Sequence, residues 1–189
     1  MNRPNLTREE AEKILNFYSV DLEKYPLIIF GIRGYYLNTM GVKGKNDRGL
    51  FDDAIGIISK DTFRMFNGNT DPSANFKKGQ AMLKEGFYTC YKFDIHRGSK
   101  SQYPAICQRL GEVTVIRDGV GEDTGNFGIN IHSAGFNTTI SEGCQTVYKG
   151  QWNEFYNTAK MEAIVLWGDR WDKEAVGYAL ISEEQRRKL

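Results

Sequence analysis

The stretch GINIHSAGFNTTISEGCQTV, residues 128 to 147, carries one of the chain's two histidines and one of its three cysteines. His132 and Cys144 stand twelve positions apart, with glycines and small polar residues between them. A thiolate is the nucleophile in cysteine chemistry, and a neighbouring imidazole takes the thiol proton or holds the thiolate as an ion pair. Both groups must then be close. INIHSAG alternates as a strand does and ends near His132, and FNTTISEG is a loop that returns the chain to Cys144. That arrangement brings both side chains to one end of a sheet. Gly143 lets backbone approach a substrate, amides near Cys144 aim at a developing oxyanion, and Gly135 lets the loop leave the strand sharply.

The elements that position this pair read as follows. LTREEAEKILNFYS places Glu10 three residues after Thr7, a capping-box pattern. Ala11, Ile14, Leu15 and Tyr18 then share one helical face, so a helix is expected at about 7–18. PLIIFGIRGYYLN is an apolar strand that bends or bulges around Arg33, and MGVKGKNDRG is a turn. A short strand follows at 54–59, then a loop rich in Asn, Gly, Asp and Pro. GFYTCYKFDIHRG, GEVTVIRDG and FGINIHSAG read as three strands of a small sheet. Trp152, Phe155, Tyr156 and Ala159 fall at helical spacing, EAIVLW and YALIS read as final strands, and EEQRRKL as a charged, solvated tail.

Composition agrees with a β-rich α+β fold in a single domain spanning 1–189, with small mixed sheets or a sandwich and flanking helices. Tyr and Phe number 10 and 11 beside 20 Gly, a mix that suits strands joined by glycine turns. With 25 Lys and Arg against 24 Asp and Glu there is no basic excess of the kind a nucleic-acid binder uses. No stretch is apolar enough for a signal peptide or an integral membrane segment, so the expectation is synthesis in the cytoplasm without a signal peptide. No C-x-x-C pair occurs, and an odd number of cysteines leaves at least one thiol free. Cys90 and Cys107 lie among aromatic and aliphatic residues and read as core; Cys144 lacks such a setting.

The order His before Cys, an I-H-[small]-x-G stretch followed closely by S-x-G-C, resembles the catalytic motif of the L,D-transpeptidase family. NTDPSANFKKGQAMLKEGFYTCYKF resembles, more loosely, that family's polar loop before a G-x-Y strand. About a third of the chain is covered. The resemblance implies that Cys144 is the nucleophile, His132 its base, and Ser133 the donor of a main-chain carbonyl that orients the imidazole. It also implies that Gly143 and Cys144 lend amides to an oxyanion hole, and that the enzyme acts on peptidoglycan stem peptides through a thioester, with no metal or other cofactor. Ser141 and Gln145, which flank the Gly-Cys pair, join Arg33 as candidate substrate contacts. The family's second histidine is replaced by Glu142, and Gln145 and Thr146 stand where an arginine or asparagine is usual.

These departures favour hydrolysis by water over cross-link formation, hence an endolysin-like peptidase, either phage-encoded or an antibacterial effector, reaching the cell wall after release or delivery. The alternatives are a cross-linking transpeptidase and a non-catalytic wall-binding or virion component. A zinc site from His96, His132, Cys144 and an acid is disfavoured by the lack of H-E-x-x-H or any close ligand pair. His96 reads as a surface or turn residue, with a place at the rim of the same cleft as the alternative. Arg33 suits a substrate carboxylate bidentately, and equally suits a structural pairing with Asp47, Asp52 or Asp53, the reading favoured here.

Overall fold

A computed structural model describes residues 1–97 and 102–189. Residues 98–101, where a polar turn is expected from the sequence, lie outside the described residues. The chain forms an α+β single domain in which a large mixed sheet closes on itself and a small sheet stands beside it.

Helix α1 (Arg8–Phe17) opens the fold as its sequence requires. Thr7 accepts from the Glu10 amide and Glu10 returns a bond to the Thr7 amide, so the capping box is complete. Ala11, Ile14 and Leu15 point inward, and the cap itself contributes about 1 kcal/mol.

The barrel is ordered β1 (Leu27–Arg33), β11 (Val176–Ser182), β5 (Gly86–Arg97), β6 (Gln102–Gln108), β9 (Ile131–Ser133), β10 (Gln145–Val147), β3 (Phe63–Asn69) and β2 (Asp53–Ser59). Two pairings in it are parallel, β1 with β11 and β9 with β10. Closure leaves none of these strands as an open edge. The smaller sheet runs β4 (Ala81–Leu83), β7 (Val113–Arg117), β8 (Gly121–Gly125).

Strand alternation builds two cores. On β1, Leu27 and Ile29 face the main core, whereas Ile28, Phe30 and Ile32 face a second core under α1. The main core also takes Leu83, Val113 and Val115 from the small sheet, and Trp152, Phe155, Ala159 and Ala163 from α2 (Lys149–Trp167). Phe66 and Phe155 meet edge to face at 5.4 Å, which fixes α2 against β3.

Several expectations change here. EAIVLW is not a strand but the last turns of α2, with Ala163 buried and Val165 77% exposed. A single buried stripe along a helix explains that pattern, and the β-branched residues fall on its outer side. The loop expected after Ser59 contains β3, and YPAIC lies within β6. The three strands assigned to one small sheet are divided, since β5 and β9 belong to the barrel and only β7 to the small sheet. The tail after Ser182 begins with a capped helical turn, α3 (Glu183–Arg186), and Glu183 is buried beneath Arg186 and Arg187.

Arg33 ends β1 without a bulge, and the chain turns at Gly34 with φ +71°. Its guanidinium is buried, and each nitrogen has a protein partner. Nε lies 2.9 Å from Asp71, Nη1 donates to Glu85 at 2.9 Å, and Nη2 donates to the carbonyls of Thr70 and Leu83, each at 2.9 Å. The arginine therefore ties β1 to the end of β3 and to β4. Its place among the substrate contacts is withdrawn: the side chain is held by protein partners at all three nitrogens and is 5% exposed.

Candidate active site

Parallel pairing of β9 with β10 sets the site. Ile131 aligns with Gln145 and His132 with Thr146, so Cys144, one residue before β10, falls beside Asn130. Asn130 and His132 share a strand face, being two residues apart. The thiol and the imidazole thus lie on neighbouring strands, offset by one two-residue step. The Gln145 amide donates to the Asn130 carbonyl at 2.8 Å and locks that register.

His132 is buried, at 4% exposure. Its Nδ1 lies 3.0 Å from the Ser133 carbonyl oxygen and 3.1 Å from the Tyr103 hydroxyl, which itself donates to that carbonyl at 3.2 Å. The Ser133 carbonyl thus lies at Nδ1. A carbonyl only accepts, so Nδ1 carries the proton and Nε2 presents its lone pair. Burial pushes the imidazole down to about 4, with a smaller push from His96 and partial restoration by the Ser133 carbonyl.

Cys144 is partly exposed. Its Sγ accepts from the Asn130 amide at 3.4 Å and donates to the Gly128 carbonyl at 3.5 Å. These backbone groups, not the imidazole, hold the thiol; no hydrogen bond joins Cys144 to His132. Burial pushes the thiol up to about 11, opposed by the Asn130 amide and reinforced by Glu142. The resting pair is therefore a neutral thiol and a neutral imidazole.

Alkylation reports this state directly. The rate of Cys144 modification by iodoacetamide, followed by peptide mapping, should climb about tenfold per pH unit up to pH 10, because thiolate is the reactive form. A plateau beginning near neutral pH would show a resting thiolate instead. Cys90 and Cys107 are buried, with thiols pushed up to about 11 and about 12, and serve as slow internal references.

The turn before the cysteine is built by Ser141. Its Oγ accepts from the Gly143 amide at 3.0 Å and donates to the Cys144 carbonyl at 2.7 Å, while its main chain exchanges bonds with Ser73. Gly143 has φ +138°, and a Cβ there would stand 2.5 Å from the Ala81 carbonyl oxygen. Only glycine fits this turn. Two assignments shift as a result. The Gly143 amide is occupied by Ser141, whereas the Cys144 amide has no hydrogen-bond partner among the described residues and is the group left for an oxyanion. Ser141 is a turn builder, not a substrate contact. Gln145 is buried too: its Oε1 accepts from the Tyr178 hydroxyl at 2.9 Å and its Nε2 reaches the Gly143 carbonyl at 3.3 Å.

A cleft of about 450 Å³ opens at Cys144, lined also by Lys77, Lys78, Arg117, Phe127 and Glu142 and by residues 79–81 and 128–129. Arg117 is paired there with Asp123 at 2.7 Å and lies over the Phe127 ring at 4.6 Å, and Lys77 stands 4.0 Å from Glu142. His132 is not part of its lining.

Sequence reasoning missed Asn130, Tyr103 and the lysines of the cleft. Asn130 was within reach, standing at the same strand face as His132. Tyr103 was not, because it meets His132 only through the β6–β9 pairing. His96, read as a surface or turn residue, is instead a half-buried strand residue of β5, its ring stacked on His132 with centroids 4.2 Å apart. Among the described residues no three His, Cys, Asp or Glu side chains are grouped to hold a metal ion, and no helix is long and apolar enough to cross a membrane. Comparison with protein-family models, curated proteins and solved structures finds no match for this chain.

Proposed function

We propose that the chain is a cysteine peptidase of L,D-transpeptidase type that cleaves a stem-peptide bond of peptidoglycan. The observation that carries this reading is the paired-strand arrangement at the cleft. His132 is fixed by the Ser133 carbonyl with Nε2 free, and Cys144 stands one residue before the adjacent parallel strand, where it lines the cleft. The substrate class comes from the resemblance of the IHSAG and SEGC segments. Lys77 and Lys78 suit it, because stem peptides carry carboxylates.

In this reaction Cys144 gives its proton to Nε2 of His132 as Sγ attacks the scissile carbonyl carbon. The Cys144 amide faces the oxygen that becomes negative. The C–N bond then breaks, the amine leaves with the proton held by His132, and water hydrolyses the thioester with His132 again as base. Thiol and imidazole start without a mutual hydrogen bond, so substrate binding must draw them together; catalytic hydrogen bonds commonly tighten only in the complex.

The absence of that bond, with both groups held neutral, favours one second reading: a wall-binding component without catalysis. Reagent sensitivity of peptide release from purified sacculi separates the two. A thiol peptidase should lose its activity to iodoacetamide and keep it in EDTA. No release before or after treatment supports the binding component, and loss in EDTA alone supports a metal enzyme.

A further inference from the structure

His96 and His132 form a stacked pair, with ring centroids 4.2 Å apart and planes 21° from parallel. Each ring is fixed by a different kind of partner. The Nδ1 of His96 lies 3.0 Å from the side-chain nitrogen of Asn130. The orientation of that amide is set from its other end, where Oδ1 accepts the Gln108 main-chain N–H at 3.0 Å. A backbone N–H only donates, so the oxygen must face Gln108 and the NH2 must face His96. His96 Nδ1 therefore bears a lone pair and the proton sits on Nε2. His132 is the reverse, because its Nδ1 faces the Ser133 carbonyl. Asn130 also donates its main-chain N–H to Cys144 Sγ. One buried asparagine thus contacts the thiol through its backbone and His96 through its side chain.

We propose that Asn130 and His96 are positioning residues of the thiol–imidazole centre: Asn130 holds His96 as an uncharged Nε2–H ring, and that ring holds His132 with its Nε2 lone pair free. The catalytic meaning rests on the peptidase reading, whereas the opposed tautomers rest on hydrogen-bond geometry alone. The groups facing His96 oppose its protonation. His132 packs on it from β9, and the Tyr103 ring from β6 lies 5.4 Å away. Arg109, just past β6, repels a second positive charge although it is paired with Asp94 at 2.6 Å. A charged His96 would also lose its bond from Asn130 and meet His132 face to face.

The chain has only two histidines, so long-range 1H–15N correlation spectra read both rings in the intact protein. At pH 7 one ring should appear as the Nε2–H tautomer and the other as Nδ1–H, assigned by His96→Phe, which keeps a stacked ring. In that variant His132 should remain Nδ1–H. In His96→Ala the exposed His132 should titrate about one pH unit or more higher. In Asn130→Asp the carboxylate should accept a proton-bearing Nδ1 and raise the His96 titration by about one unit or more. The same tautomer in both wild-type rings, or an unmoved His132 in His96→Ala, would overturn the proposal. The wild-type spectrum decides alone if a variant fails to fold. Peptide release by wild type and by Cys144→Ala tests the peptidase reading separately, since a failure there leaves the tautomers as they are.

Discussion

Cys144→Ala is expected to lower turnover on peptidoglycan peptides by at least about ten-thousand-fold while leaving the fold intact. Removing a nucleophile from a nucleophile–base unit leaves only what binding and oxyanion contacts supply. The structural cost is small, because among the described residues Sγ has two hydrogen bonds, both to backbone groups, at 3.4 and 3.5 Å, and the turn that carries it is held by Ser141 and the Gln145 amide. A net hydrogen bond is worth about 1 kcal/mol, so the urea midpoint should barely move. Turnover assays and urea denaturation of the same preparation check both halves. Retained turnover would remove Cys144 from the chemistry, and a large fall in the midpoint would make the residue structural.

Arg33→Ala should behave in the opposite manner, with its main effect on stability. The guanidinium is surrounded by Asp71, Glu85 and the carbonyls of Thr70 and Leu83, and Asp53 lies close behind Thr70. Deleting one partner of a buried ion pair leaves the other uncompensated, which costs about 3–5 kcal/mol. That is a large part of a typical domain's stability. The carboxylates nearby are already crowded: burial, with Asp71 adding to it, pushes Asp52 up to about 6. Urea denaturation should show the loss, and a change below about 1 kcal/mol would mean that the cluster relaxes around the missing cation.

The local signals in the sequence were read well where one segment decides the outcome. The capping box at Thr7 and Glu10 and the apolar run of β1, though not the bend expected around Arg33, each depend on neighbours within a few residues. Failures came where a distant partner decides. Gly68 breaks the strand pattern of β3, yet a Cβ there would stand 2.7 Å from the Thr146 carbonyl oxygen, so the glycine records close approach of β10 and not a loop. Ile164 and Val165 favour strands by type, but they continue the helix whose buried stripe runs from Trp152 to Ala163. Arg33 and Gln145 are residue types that suit substrates, and burial turned both into ties within the barrel. Tyr103 and His96 became part of the site only through the pairing of β5, β6 and β9, which no short window contains.

Mass spectrometry of defined peptidoglycan peptides and of the protein itself, after incubation with wild type and with Cys144→Ala, tests the central claim most directly. Wild type should release shortened peptides and carry a transient acyl adduct mapped to Cys144, and the variant should do neither. Identical peptide products from both proteins, or an adduct on any other residue, would contradict a Cys144 nucleophile.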